Sequence, residues 1–490
     1  MKIYNSISRR KEEFTPKEPG RVSLYVCGIT AYDYCHIGHA RAAAVFDVLV
    51  RYLRFCGYQV TFVRNFTDVD DKIINRSLEE GIDSQAVAEK YIQAFYEDMD
   101  RLNILRPDYE PRATEHIQDM QEVITSLIDK GYAYATPGGD VYFRVRSFSG
   151  YGQLSGRNIE EMQAGARIDP GQEKEDPLDF ALWKKAKPDE PAWPSPWGDG
   201  RPGWHIECTA MSQRFMELPL DIHGGGQDLI FPHHENERAQ SIAASGRDFV
   251  RYWMHNGFVQ VKSEKMSKSL GNFFTLRDIY AQFLPEVLRF FLLSQHYRSP
   301  LDFSFEGLQE SEKGLKRIYQ TQKNLEAAIP SLEGNKGPNL AQEITQEIQT
   351  ASSQWQNSLE DDLNTAAALG YAFSLIRVAN RILEDKKLRK AADAGQACRD
   401  IVSCLQEIGS VLGLFSQDSE EFLHNLRSCR AARAGVEPRQ VEELISKRQQ
   451  ARKDKDFARA DALRDELTQL GVSVQDTPDG PVWDLDSISI

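Results

Sequence analysis

The first informative pattern is an apolar run, Leu24-Tyr25-Val26-Cys27, followed by a polar, glycine-containing stretch and then by apolar positions at Val45, Val48, Leu49, Tyr52 and Leu53. The run has the length of a strand, and the later spacing of three and four is the buried stripe of a helix. A second apolar segment over 59–65 predicts another strand. Residues 21 to about 112 thus read strand, loop, helix, strand, helix, the rhythm of a parallel α/β sheet. From about 112 to 200 that rhythm stops. A helix over 117–130 precedes a hairpin whose arms include Tyr134 and Tyr142 and whose turn is Pro137-Gly138-Gly139-Asp140. A polar stretch and a Pro/Trp-rich segment over 191–198 follow, so 113–200 reads as an insertion between two halves of a nucleotide-type fold.

The α/β pattern resumes at Gly203, and a strand from Leu220 runs into a loop of three glycines, Gly224 to Gly226. Pro232 is placed as the first residue of a helix. A strand at 258–261 then leads into a lysine-rich loop. Residues 273–330 read as helical, with Leu288, Phe291 and Leu292 on one face; 329–339 reads as a linker. Helices are expected over about 341–357, 362–386 and 391–413, and then a basic helix pair with a short β tail.

A chain of 490 residues should contain several domains, and 41% hydrophobic with 27% charged residues is the composition of a soluble globular protein. The opening MKIYNSISRRKEEF lacks the apolar centre of a signal peptide, and no apolar run is long enough to span a membrane. The seven cysteines, an odd number in a long chain, suit reduced thiols and a cytoplasmic location. A net charge of −14 argues against non-specific nucleic-acid binding, although residues 427–464 hold 11 Lys or Arg against 6 Asp or Glu. That local excess is either a solvated helix surface or a phosphate-facing one.

In a parallel sheet, ligands sit at the carboxyl ends of the strands. Cys27, at the end of its strand, would then stand at the rim of a cleft. His36 and His39 would stand at a helix N-terminus, where free N–H groups attract phosphate. Asp68, Asp70 and Asp71 either cap the next helix or face the same cleft. The three glycines are either a tight turn or a place where backbone approaches a ligand. Cys27, Cys208, His233 and Glu237 suggest a zinc site, since zinc takes thiolate, imidazole and carboxylate together. His233 and Glu237 are four apart and share a helix face, whereas His234 with Arg238 is no metal pair. The plainer alternative is two small buried hydrophobes and two ordinary helix-start residues.

His36-Ile37-Gly38-His39 spells the HIGH motif of class I aminoacyl-tRNA synthetases. Lys265-Met266-Ser267-Lys268-Ser269 spells their second motif without deviation. With the cysteines, the chain resembles the bacterial cysteinyl-tRNA synthetases from Met1 to its last residues. The resemblance implies an α/β fold: a Rossmann-type catalytic domain split over 1–112 and 201–260, with a connective insertion over 113–200. It also implies a lysine-loop and stem-contact region over 261–310, a helical anticodon-stem domain over 311–420, and a small α+β anticodon domain over 425–490.

It further implies an ATP-dependent ligase that forms cysteinyl-adenylate and charges the 3′ end of tRNA(Cys). His36, His39, Lys265 and Lys268 would be catalytic. Gly38, Gly224, Gly225, Gly226 and Asp228 would join them at ATP, with Mg2+ accompanying the nucleotide. Thr67, Trp204 and His223 would contact the amino acid, and the same four residues would hold one zinc ion. Arg452, Asp461, Asp476 and Trp483 would read the anticodon, and the chain would be a monomer. A related cysteine–amino-sugar ligase would lack the long C-terminal region. A non-catalytic tRNA-binding relative should have lost His39, Lys268 or a metal ligand.

Overall fold

The computed structural model describes residues 1–160, 173–188, 190–261, 264, 265, 274–477 and 480–485. The chain opens with a hairpin that the apolar pattern does not announce, β1 (Lys2–Asn5) and β2 (Arg10–Glu13). Its second arm, Arg-Lys-Glu-Glu, carries no alternation because it has no buried face.

Strand β3 (Arg21–Thr30) is joined through helix α1 (Ile37–Phe55) to β4 (Gln59–Thr67), and the two strands pair in parallel. The strand does not end at Cys27, as its apolar run suggested. It continues to Thr30 across an irregularity between Val26 and Ile29. Gly28 permits this, because a Cβ there would lie 1.6 Å from the carbonyl oxygen of Asn65. Helices α2 (Asp71–Glu80) and α3 (Ser84–Arg101) follow, and Asp70 caps α2 by accepting from Lys72 N.

The insertion consists of α4 (Ile117–Asp129) and an antiparallel sheet of β5 (Ala133–Ala135), β6 (Val141–Phe143), β7 (Phe180–Lys185) and β8 (Gly200–Pro202). Strands β9 (Leu220–Gly226) and β10 (Val250–Asn256) then return to the first sheet and complete the parallel order β10-β9-β3-β4. The three glycines lie inside β9, not in a loop, and pair with Met254 to Asn256. Their poor strand propensity is overridden by packing. A Cβ at Gly224 would lie 2.2 Å from the Phe46 ring of α1. Gly224→Ala is therefore expected to overpack the sheet against α1 and to lower stability in denaturant unfolding by about 1–3 kcal/mol.

A small sheet of β11 (Val259–Val261), β12 (Glu264–Lys265) and β13 (Leu301–Asp302) precedes a mainly helical half. The helix Phe305–Leu332 runs through Pro330, so the expected linker starts later than the proline suggested. Helices Thr365–Glu384 and Ala394–Leu412 pack on it, and Gln342–Glu360 packs on those two; Arg289, of the helix Pro285–Leu293, ties the end of Ala394–Leu412 to Asp47 of α1. Helices Ser419–Ala434, Pro438–Lys453 and Phe457–Gln469 and a hairpin of β14 (Val472–Thr477) and β15 (Gly480–Leu485) end the chain around a separate small core. Among the described residues no helix is long and apolar enough to cross a membrane.

Candidate active site and metal centre

At the carboxyl ends of β3 and β9 lies a cleft of about 370 Å³. Cys27, His36, Gly38, His39, Trp204, Gly225, Gly226 and Asp228 line it. Gly224 does not; it is spent on packing against Phe46. His36 is the N-cap of α1. Its Nδ1 accepts from Gly38 N at 3.0 Å, and its own N–H donates to His39 Nδ1 at 3.4 Å. The two rings stack with centroids 3.7 Å apart. The helix start thereby places both imidazoles at the cleft, at the positive end of the helix dipole, where negative charge is favoured. Thr30, Tyr32, Lys72 and Asn256 also line the cleft and were not singled out from sequence. Lys72 follows the Asp70 cap, so the polar turn after β4 does face the ligand space, through its lysine. Lys268 lies outside the described residues. Lys265 is described only as the end of β12.

One wall of the cleft holds the thiols. Cys27 Sγ is 3.5 Å from Cys208 Sγ and 3.4 Å from Glu237 Oε1, and His233 Nε2 is 2.9 Å from the same oxygen. The ligand atoms of these four residues all lie within 4.8 Å of one another. Cys208 comes from the helix Trp204–Phe215 and Glu237 from the helix Glu235–Ser245. The backbone kinks at Phe231, whose φ of −141° and ψ of 130° are extended, so Pro232 opens the helical stretch that carries His233 and runs on into Glu235–Ser245, as its position in the sequence suggested.

Spacing could not reveal that His234 faces inward as well, its Nε2 3.3 Å from Cys27 Sγ. Cys27, His223, His234 and Glu237 form a second compact set. The sets differ in chemistry. The first brings two sulfurs, one imidazole and one carboxylate; the second has a single sulfur. Two thiols favour zinc over magnesium or calcium. Each inward histidine has its other nitrogen engaged, His233 with His205 at 2.9 Å and His234 with His255 at 2.8 Å, which orients both Nε2 atoms.

Charge supports the first set. Burial pushes the Cys27 thiol well up. It also pushes Cys208 up, but the Cys27 thiol and His233 outweigh it and bring Cys208 down to about 6. Burial pushes His233 down, yet Glu237 and Cys208 raise it to about 10. Glu237, despite burial, is held well below the usual carboxylate range by His233 and His223. A buried thiolate and carboxylate facing a single imidazolium keep a net negative charge, which a divalent cation satisfies better than one proton does.

The residues expected at the amino acid are divided. Trp204 lines the cleft at 38% exposure and stacks on His233 with centroids 4.2 Å apart. Thr67 is buried and donates to Glu207 Oε2 at 2.6 Å, and it does not line the cleft. His223 is likewise buried, behind Glu237 (2.8 Å) and beside the Tyr25 carbonyl (3.2 Å). It steadies a carboxylate rather than lining the cleft.

In the C-terminal module, Asp476 bonds Arg448 at 2.9 and 3.0 Å and also Arg452, while Asp461 faces Arg464 at 3.4 Å. Trp483 is a core residue, 7% exposed among Leu444, Ile445 and Leu463. It is not an open stacking surface. The exposed aromatic of that module is Phe457, at 64%.

This combination of parallel sheet, capped histidine pair and helical C-terminal half is that of a class I tRNA synthetase. Residues 13–313 match the family described as tRNA synthetases class I (C) catalytic domain, 354–416 a DALR domain, and 436–483 the cysteinyl-tRNA ligase anticodon binding domain. The chain is 60% identical over 483 residues to a cysteine–tRNA ligase of Maridesulfovibrio salexigens, covering 99% of each chain. It is 62% identical over 485 residues to that of Nitratidesulfovibrio vulgaris strain DP4, covering 99% of this chain and all of the other. Among solved structures, Mycobacterium tuberculosis methionyl-tRNA synthetase with methionyl-adenylate shares the fold at a TM-score of 0.61 and 17% identity, over 86% of this chain and 95% of that one. The chain belongs to the cysteine–tRNA ligase family.

Proposed function

We propose that the protein activates L-cysteine with ATP and passes the cysteinyl group to the 3′ end of tRNA(Cys). The observation that carries this reading is the meeting of Cys27, Cys208, His233 and Glu237 on a wall of the same cleft that His36 and His39 line. A cysteine whose sulfur reaches that wall would extend its carboxylate into the cleft that the histidines line. The carboxylate oxygen attacks the α-phosphorus of ATP, the bond to pyrophosphate breaks, and the adenylate is left. A ribose hydroxyl of the tRNA then attacks the acyl carbon and AMP departs.

Cys27, Cys208, His233 and Glu237 would hold zinc, which when bound supplies a soft acceptor that deprotonates a thiol and discriminates it from a serine hydroxyl. His36 and His39 donate to the phosphates, and the N-terminus of α1 adds its dipole. Lys265 and Lys268 would supply point charges to the leaving pyrophosphate, and Mg2+ would enter with ATP. Trp204 closes the pocket over His233. His223 holds Glu237, and Thr67 holds Glu207 next to Cys208. The domain limits read from sequence, a monomeric state and a cytoplasmic location belong to the same reading.

Cysteine-dependent ATP–pyrophosphate exchange, followed by charging of tRNA(Cys), tests it. Exchange without tRNA charging would favour the amino-sugar ligase, against which residues 341–490 speak, and neither activity would favour a non-catalytic relative. At the anticodon module, Arg452, Asp461 and Asp476 would read bases and Phe457 would stack. Phe457→Ala is expected to raise the tRNA KM about tenfold, with pyrophosphate exchange unchanged. Trp483→Phe should leave that KM unaltered.

A further inference from the structure

Arg41 lies on α1 two residues beyond His39 and is wholly buried. Its Nη2 donates to three backbone carbonyls of one loop: His296 (3.2 Å), Tyr297 (3.2 Å) and Ser299 (2.5 Å). Its Nε and Nη1 have no hydrogen-bond partner among the described residues. A buried cation with two unmet donors is uncommon and calls for a reason. The loop it grips is held from two other sides. Gly257 N donates to the Tyr297 carbonyl at 2.8 Å, and β13, which follows the loop, pairs in parallel with β11. A Cβ at Gly257 would lie 2.5 Å from Ser299 O, so the contact is close.

On its far side the loop ends in one carboxylate. Tyr297 Oη donates to Asp362 Oδ1 at 2.8 Å, and Arg298 Nε to Oδ2 at 2.7 Å. Asp362 is itself fully buried and also accepts from Tyr4 N at 2.8 Å. It sits between helices Gln342–Glu360 and Thr365–Glu384 of the DALR region. Asp362 and Leu363 both adopt left-handed backbone, with φ of 66° and 51°. Two successive non-glycine residues in that region are strained, and they persist only where surrounding contacts over-determine them.

We infer that the loop 296–299 is a joint that couples the helical tRNA-binding half to the histidine helix, with Arg41 and Asp362 as positioning residues at its two ends. The inference rests on the ligase reading. A load placed by tRNA on the helical half reaches Asp362, then the Tyr297 and Arg298 side chains, then the carbonyls that Arg41 holds, and so the turn carrying His36 and His39. The joint acts in the step that involves tRNA. Amino-acid activation, which does not, proceeds with the joint relaxed.

The test uses the full-length enzyme with Asp362→Asn and, separately, Tyr297→Phe, which removes one hydroxyl from a buried ring and leaves its volume. Cysteine-dependent pyrophosphate exchange, single-turnover transfer from preformed adenylate to tRNA(Cys), and tRNA affinity are measured on each. The expected result for Tyr297→Phe is exchange within threefold of wild type, tRNA affinity within threefold, and transfer slowed tenfold or more. Asp362→Asn should show the same split with a larger loss. Equal losses in exchange and transfer, a loss confined to tRNA affinity, or no change in Tyr297→Phe would each overturn the inference. Absence of exchange in the wild-type enzyme would instead overturn the ligase reading on which it rests.

Discussion

Cys208→Ala is expected to abolish tight metal binding and to lower cysteine-dependent pyrophosphate exchange by on the order of 10³-fold, several kcal/mol of lost transition-state stabilisation. Cys208 is buried, and its sulfur lies within 4.8 Å of the ligand atoms of Cys27, His233 and Glu237. Removing its sulfur leaves one thiol, and the remaining set no longer prefers a thiophilic ion. The buried Glu237 and His233 remain as a pair, so the fold should persist. Metal content, read by elemental analysis, should fall from one zinc per chain toward none. Cys56→Ala, which alters an exposed thiol on the other end of α1, is the control and should retain both metal and exchange.

His39→Ala is expected to reduce the adenylation rate by about 10²–10³-fold while changing cysteine affinity less than twofold, because a donor aimed at developing charge acts on the transition state and not on the amino acid. His39 lines the cleft, stacks on His36 and accepts from its N–H, so its loss removes one donor and loosens the other. Pre-steady-state measurement of adenylate formation, with cysteine binding followed separately by calorimetry, separates the two quantities. A parallel loss in both would assign His39 to the amino acid. Lys268→Ala should show the same division.

The parts of this molecule that were legible in sequence are those where one local rule was unopposed. The stripe on α1, the helix of the insertion and the amphipathic helices beyond residue 341 follow from periodicity, and the hairpin of the insertion from its Pro-Gly-Gly-Asp turn. The two phosphate motifs and the four metal-ligand candidates were legible as residue types at suggestive positions. What was not legible was decided by partners distant in sequence. Gly224 to Gly226 read as a loop, yet they are strand, because Phe46 fills the space that side chains would need. Cys27 read as a strand end, yet β3 passes over Gly28. The four-residue spacing of His233 and Glu237 assumed an α-helix. That helix does begin at Pro232, after a kink at Phe231, but the spacing could not show that it also brings His234 to Cys27. Trp483 read as a stacking residue, yet it is buried, and the exposed Phe457 was not singled out, since an aromatic residue's exposure depends on which strands and helices close over it.

The most direct measurement compares kcat/KM for cysteine and for serine in pyrophosphate exchange, using zinc-loaded enzyme and enzyme stripped of metal. Shape alone separates such analogues by about 1–3 kcal/mol, or roughly 10- to 200-fold. The account predicts that loaded enzyme prefers cysteine by far more than this, and that stripping the metal collapses the preference into that range. Stripped enzyme that still rejected serine as strongly as the loaded form would contradict it.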